Sequence, residues 1–242
     1  MERTKGLSRM PVGIVTGASK GLGRALAAAL AGRGWDLVLD ARSPGPLLAA
    51  AAELRAAGGG RVVALPGDVT DPAHRTELVA AARGLGGPNL LVNNASVLGA
   101  EPLVRLADQP LEGLRAALEA NVVAPLGLVR EALPALREAA GAVLNISSDA
   151  AVEAYGSWGG YGSSKAALDQ LSAVLAVEEP GLRVWWVDPG DMRTDLYAAA
   201  VPEDGGADRP LPESVAPALL RLLDEKAPSG RYTAAGLRAA GR

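Results

Sequence analysis

Seven short β-rich runs alternate with Ala/Leu-rich helical stretches along this chain, and that rhythm constrains its fold more than any other feature. The runs are PVGIVTG from Pro11, DLVLDA from Asp36, RVVALPGD from Arg61, NLLVNNA from Asn89, GAVLNISS from Gly141, RVWWVDPG from Arg183 and RYTA from Arg231. Between them the pattern predicts helices at about Leu22 to Arg33, Pro46 to Ala57, through the segment opened by Asp71 and Pro72, at Gln109 to Ala139, across Tyr161, and at Pro212 to Lys226. Runs such as IVTG and LLVN lack polar alternation, which marks parallel strands covered on both faces. Right-handed crossovers then give a doubly wound α/β sheet of seven parallel strands, with ligands expected at the carboxyl ends of the strands. The length and the 49% hydrophobic content suit one domain over residues 1–242.

The first strand ends in Thr16-Gly17-Ala18-Ser19-Lys20-Gly21-Leu22-Gly23 and passes straight into a helix. Such a turn cradles a phosphate: Gly17 permits the tight bend, Gly21 lets a pyrophosphate approach the backbone at the positive helix end, and Gly23 allows close packing. Ser19, Lys20 and Leu22 share that loop and are assigned to the cofactor with the glycines. At the end of the second strand, Ala41 occupies the place where an acid would accept from the ribose of NAD, and Arg42 follows. Arg42 and Lys20 together offer positive charge to a 2′-phosphate, so NADP(H) is expected over NAD(H). A register shifted by one residue would instead put Asp40 on the ribose and favour NAD. Asp68 and Val69 close the third strand and Asn94 and Ala95 the fourth, where all can line a nucleotide cleft. Asp68 is either an acceptor for the adenine amino group or a turn and cap residue before Thr70 and Asp71.

In Tyr161-Gly-Ser-Ser-Lys165, helical spacing sets a phenol and an ammonium on one face. A lysine charge a few ångströms away favours phenolate and is expected to lower the tyrosine pKa, which makes the pair an acid or base. Asn121 lies four residues before Pro125 in a helical pattern, so a kink is expected there, with a freed carbonyl able to hold a water.

TGASKGLG, NNAS, Asn121, Ser148, YGSSK and DPGDMRT, in this order and spacing, resemble the single-domain members of the short-chain dehydrogenase/reductase family, over almost the whole chain. The resemblance implies an NAD(P)-binding Rossmann domain in which Tyr161 is the general acid or base. Ser148 would polarise a substrate carbonyl, Lys165 would bind the nicotinamide ribose, and Asn121 would hold a relay water. Pro189, Gly190 and Thr194 match the segment beside the nicotinamide. The activity implied is reversible reduction of a small-molecule carbonyl to an alcohol, in a homodimer or homotetramer joined through the helices that bear Asn121 and Tyr161. Tyr155 and Trp158 are expected in the substrate pocket, and Asp191, unusual in being acidic, lies beside it, able to repel anions or to pair with Arg193. Residues 191–212 form the substrate-loop region, with 195–212 read as an irregular lid or mobile loop. Ser96 stands where many members have glycine, and NNAS is also similar to pteridine-reducing relatives. Trp185 and Trp186 are read as core or interface, and the C-terminal SGRYTAAGLRAAGR lacks the Asp-Gly-Gly ending common in the family.

Other classes are disfavoured. With 24 basic and 27 acidic residues and no basic block, neither nucleic acid nor a membrane surface is an expected partner. The basic residues near the start precede too short an apolar run for a signal peptide, and cytoplasm is the default expectation. No cysteine is present, which excludes thiol nucleophiles and thiolate metal sites, and no metal site is expected. His74, the single histidine, is placed on the exposed face of an amphipathic helix. The rivals are an NAD-dependent alcohol dehydrogenase and a non-catalytic NADP-binding sensor or scaffold, which would need no phenol beside an ammonium.

Overall fold

The computed structural model describes residues 10–204 and 206–240; the basic segment before Met10, Gly205 of the long loop and the last two residues lie outside them. Seven parallel strands form one sheet in the order β3-β2-β1-β4-β5-β6-β7. They are β1 (Val12–Val15), β2 (Asp36–Ala41), β3 (Val62–Pro66), β4 (Pro88–Asn93), β5 (Ala142–Ile146), β6 (Arg183–Asp188) and β7 (Gly230–Thr233). The reversal of order falls between β1 and β4, where Val15 pairs with Val92. Crossovers there leave in opposite directions, and the crevice between them opens at the carboxyl edge of the sheet.

The period-two alternation of each strand explains the unbroken apolar runs. Val15, Leu37 and Leu39 enter one core with helices α1 (Gly21–Ala31), α2 (Pro44–Ala56) and α8 (Pro212–Asp224). Their neighbours Ile14 and Val38 enter the other, under α3 (Pro72–Leu85) and α5 (Ala124–Glu138). The inner strands are therefore apolar on both faces, and one residue of slippage would exchange the two cores. Trp185 lies in the first core, where its indole N–H donates to the carbonyls of Ala227 and Pro228, both at 3.1 Å.

Three stretches differ from the sequence expectation. The single helix over 109–139 is divided: α4 (Leu111–Leu118) passes through a π turn at Glu119–Val123 into α5. Pro125 has no N–H to give the Asn121 carbonyl, and a wider turn takes the place of the expected kink. The stretch 195–212 opens with a helix, α7 (Asp195–Ala200), capped by Thr194, whose hydroxyl accepts from the Tyr197 N–H at 3.2 Å. Beyond α7 the segment closes on itself. Arg209 stacks 5.2 Å from the Tyr197 ring and donates to Asp204, and the Arg193 N–H donates to the Pro210 carbonyl. Between β5 and β6 runs α6 (Gly159–Glu178), and after β7 comes the six-residue α9 (Ala234–Ala239). Among the described residues, no helix is long and apolar enough to cross a membrane.

Candidate active site

A cavity of about 960 Å³ runs along the carboxyl ends of β1, β2, β4, β5 and β6. It is lined by Gly17, Ser19, Lys20, Gly21 and Leu22 of the first turn, by Arg42, Asp68, Val69, Asn94 and Ala95, and by Ser148, Trp158, Tyr161, Lys165, Pro189, Gly190, Asp191 and Thr194. Residues from seven separate segments, singled out by spacing and resemblance, thus share one crevice.

The turn after β1 leaves room for a ligand's phosphates because side chains are missing from it. Gly17 has φ 64°, and a Cβ there would lie 2.8 Å from the Asn94 amide. A Cβ on Gly23 would meet the Gly17 carbonyl oxygen at 2.4 Å, so Gly23 lies beneath the cavity and locks the turn to α1. Asn94 fastens it from β4: its side-chain amide donates to the Thr16 carbonyl at 2.9 Å, and its N–H donates to the Thr16 hydroxyl at 3.0 Å. Lys20, at the start of α1, pairs at 2.5 Å with Asp195 of α7 across the rim, both side chains well exposed. The bare backbone, the helix N-terminus and the two cations Lys20 and Arg42 fit a dinucleotide phosphate chain.

At the end of β2 Asp40 and Arg42, which strand alternation alone would put on one face, part company because Arg42 lies beyond Ala41, the last residue of the strand. Arg42 is exposed at the edge of the cavity. Asp40 is 2% exposed, and its carboxylate accepts from His74 Nε2 at 2.7 Å. His74 is thus buried, a correction to the exposed position expected for it: the polar partner that draws it inward lies on another element, 34 residues away. Asp68 accepts from both the N–H and the hydroxyl of Thr70, at 2.9 and 2.8 Å. Burial raises its pKa, but those two bonds, together with the charges of Arg42 and His74, outweigh it and hold the carboxyl below its usual range. Its turn role is therefore present, at the wall of the cavity.

At the other end Tyr161, Lys165 and Asn121 are buried at 6%, 2% and 1% exposure. The Lys165 ammonium donates to the Ile146 carbonyl at 2.8 Å and lies 5.5 Å from the Tyr161 ring centre. Burial pushes its pKa down to about 8, partly offset by Asp169. The Tyr161 phenol is pushed upward, not downward as the Tyr-Lys spacing suggested. Burial is the largest cause, with Asp149 and Asp188 adding to it, while the hydroxyls of Ser96 and Ser148 favour the phenolate. Spacing placed the ammonium nearby, but it said nothing of the dry surroundings or of the two carboxylates.

Asn121 does not line the cavity. Its side-chain oxygen accepts from the Val97 N–H at 3.0 Å and from the Ser96 hydroxyl at 3.1 Å; its amide donates to the Val97 carbonyl and to the Ser164 hydroxyl, each at 2.9 Å. The amide braces the segment after β4 against α6. Ser96 thereby stands between Asn121 and the phenol, a placement that the departure from glycine in NNAS flagged without explaining. Ser148 donates to Asp149 at 2.9 Å and accepts from the Ala150 N–H at 3.1 Å. Behind it Arg231 donates to the Ser148 carbonyl at 2.9 Å and to Asp169 at 3.0 Å, a support from β7 that no local pattern announced.

Trp158 packs edge-on to Tyr161 with ring centres 5.8 Å apart. Tyr155 corrects its expected place in the pocket wall: it is 47% exposed and outside the cavity lining, and its hydroxyl donates from there to Asp149, a lining residue, at 3.1 Å. Asp191 lies 3.9 Å from Arg209, in place of the pairing with Arg193. Asp188 and Asp191 both have raised pKa values, chiefly from burial, and Asp149 adds to both.

Residues 11–205 match the model of the short chain dehydrogenase family, and the chain belongs to that family of nicotinamide-dependent oxidoreductases. It is 37% identical to sepiapterin reductase of Rattus norvegicus over 199 residues, 77% of this chain and 76% of the relative. An uncharacterised oxidoreductase of Saccharomyces cerevisiae is 36% identical over 186 residues, 76% of this chain and 71% of the relative. Among solved structures, an alcohol dehydrogenase of Thermococcus sibiricus complexed with 5-hydroxy-NADP superposes with a TM-score of 0.84 at 28% identity, covering 93% of this chain and 95% of that one.

Proposed function

We propose that this chain is an NADP(H)-dependent carbonyl reductase, acting reversibly on a small-molecule ketone or aldehyde, with Tyr161 as the proton donor. The observation that carries the proposal is the buried Tyr161 phenol facing the Ser96 and Ser148 hydroxyls, with the Lys165 ammonium 5.5 Å from its ring. When bound, the reduced nicotinamide supplies hydride to the carbonyl carbon. Negative charge then grows on the carbonyl oxygen, and Tyr161, held protonated by burial, delivers its proton there. Ser148 turns its hydroxyl from Asp149 to the same oxygen; the charge-assisted bond it gives up, about 1.5–3 kcal/mol, is replaced by one to the developing anion. Lys165 spends one N–H on Ile146 and has two more donors for a ribose. Asn121 acts by bracing Ser96 and α6.

Ala41 and Arg42 at the end of β2, with Lys20 in the phosphate turn, support NADP(H) over NAD(H). Asp40, the residue that would support the NAD-dependent reading, is bonded to His74. Gly17, Gly21, Asn94, Pro189, Gly190 and Thr194 would hold the rest of the cofactor, and residues 191–212 would form the substrate wall. Asp149, Asp188 and Asp191 give that wall a negative bias, which favours neutral or cationic carbonyl compounds over carboxylated ones. Exposed Leu111, Val123, Leu126, Val174 and Val177 on α4, the π turn, α5 and α6 support assembly into a dimer or tetramer.

The test follows oxidation of NADPH and of NADH with a panel of ketones, aldehydes and diketones led by sepiapterin, for the wild type and Tyr161→Phe. NADPH-dependent turnover that falls about 10²–10⁴-fold in the variant, with NADPH binding retained, is expected. Near-normal turnover in Tyr161→Phe overturns the assignment of the acid. NADPH binding with no turnover in either protein would favour the sensor reading.

A further inference from the structure

The buried pair of Asp40 and His74 has no part in the proposed chemistry, yet it borders the cavity at the place where cofactor selectivity is decided. Asp40 is 2% exposed and His74 6%, and Nε2–H of the imidazole donates to the carboxylate at 2.7 Å. The fold makes room for this ring: a Cβ on Gly67 would lie 2.4 Å from it, so the residue after β3 must lack a side chain. The other ring nitrogen faces the exposed carboxylate of Glu77 at 4.0 Å. Asp40 also accepts from the Gly17 N–H, and its main-chain carbonyl accepts from the Ala18 N–H at 2.8 Å. Its carboxylate is thus spent beneath the glycine-rich turn, although Asp40 lines the same cavity as Ala41 and Arg42.

A buried carboxylate deprived of its partner either takes up a proton or turns toward water. For Asp40 the water lies in the cavity, where Arg42 is exposed. We propose that His74 is a cofactor-specificity residue: by holding the Asp40 carboxylate under the phosphate turn, it keeps an acidic side chain from reaching the ribose and from opposing a 2′-phosphate at Arg42. The inference rests on the NADP(H) reading above. It explains how a chain with an aspartate two residues before its phosphate-binding arginine can favour the phosphorylated cofactor.

Equilibrium binding of NADPH and NADH, followed by nicotinamide fluorescence without substrate, tests it on the wild type, His74→Leu, His74→Gln and the double variant Asp40→Asn/His74→Leu. The wild type is expected to bind NADPH more tightly. His74→Leu should lose roughly tenfold of the NADPH-to-NADH preference, as expected when like charge is brought beside a charge-assisted contact. His74→Gln, which keeps a donor, should retain most of the preference, and the double variant, which removes the charge, should restore it. Equal weakening toward both cofactors in His74→Leu, or no restoration in the double variant, overturns the proposal and leaves His74 a packing residue. If His74→Leu does not fold, His74→Asn, polar but too short to reach Asp40, replaces it with the same outcomes. A wild type that binds NADH more tightly than NADPH is a different result: it overturns the cofactor reading, and this inference falls with it.

Discussion

Where the cavity meets the glycine-rich turn, its walls are main chain, glycine and the exposed cations Lys20 and Arg42, whereas at the Tyr161 end they include the buried side chains of Tyr161 and Lys165. The first end recognises by leaving atoms out. Exposed charges there cost little to keep and contribute little to folding. The second end recognises by holding a lysine and a phenol out of water, which costs stability and fixes geometry. Variants at the first end should therefore alter binding or backbone shape, and those at the second should separate stability from activity.

The sharpest break in this contrast is Gly23→Ala. Its Cβ would meet backbone oxygen at 2.4 Å, and backbone cannot swing aside as a flexible side chain can. A stability loss of about 3 kcal/mol is expected in chemical denaturation, together with weaker binding of both cofactors. A normal denaturation midpoint would show that the turn has slack.

Lys165→Met reverses the sign. Burial holds this lysine at about 8 against its usual 10.5, so at neutral pH the folded chain carries a charge it disfavours. Below about pH 8 both folded and unfolded chains are protonated and the full cost applies; between about 8 and 10.5 the unfolded chain binds more protons, and wild-type stability rises with pH. The methionine variant, which leaves the Ile146 carbonyl without its donor, should still gain roughly 1–2 kcal/mol at pH 7. That advantage should shrink by pH 10, while turnover is lost. Denaturation curves at the two pH values check this, and an equal gain at both would contradict the burial argument.

Arg42→Ala should weaken NADPH about tenfold and leave NADH nearly unchanged, with no change in melting temperature, because the side chain is exposed. Equal loss for both cofactors in a fluorescence titration would move the 2′-phosphate contact elsewhere. The smallest effect expected is that of Tyr155→Phe. Tyr155 is exposed and outside the cavity lining, and touches it only through the bond its hydroxyl gives Asp149, so KM and kcat should each change less than about threefold.

The contrast also shows what could be read before any coordinates. The seven strands were legible because burial on both faces leaves an apolar run, and the glycines of the first turn because their absent side chains are a local requirement. Helices α7 and α9, six residues each, are too short for a 3.6-residue period to register. His74 was misread because amphipathic pattern reports the average face of a helix, while its burial depends on Asp40 and on the gap at Gly67. Spacing put Lys165 beside Tyr161 correctly, but the direction of the phenol's shift depends on burial and on two aspartates from other loops. Ser96 and Arg231 act through long-range partners, which a one-dimensional pattern does not contain.

The excursion that follows β6 behaves as a cassette. Its base is clasped by Arg193 and Pro210, and its interior is stapled by Tyr197, Asp204 and Arg209, so much of its order comes from contacts within itself. Gly190, at φ 73°, gives the chain a left-handed turn before it enters. A segment built this way can be exchanged for one of different length or lining while the sheet keeps its two cores. For an engineer it is a graft site, and, on the function proposed above, for a lineage it is where new substrates would be tried without rebuilding the rest of the molecule.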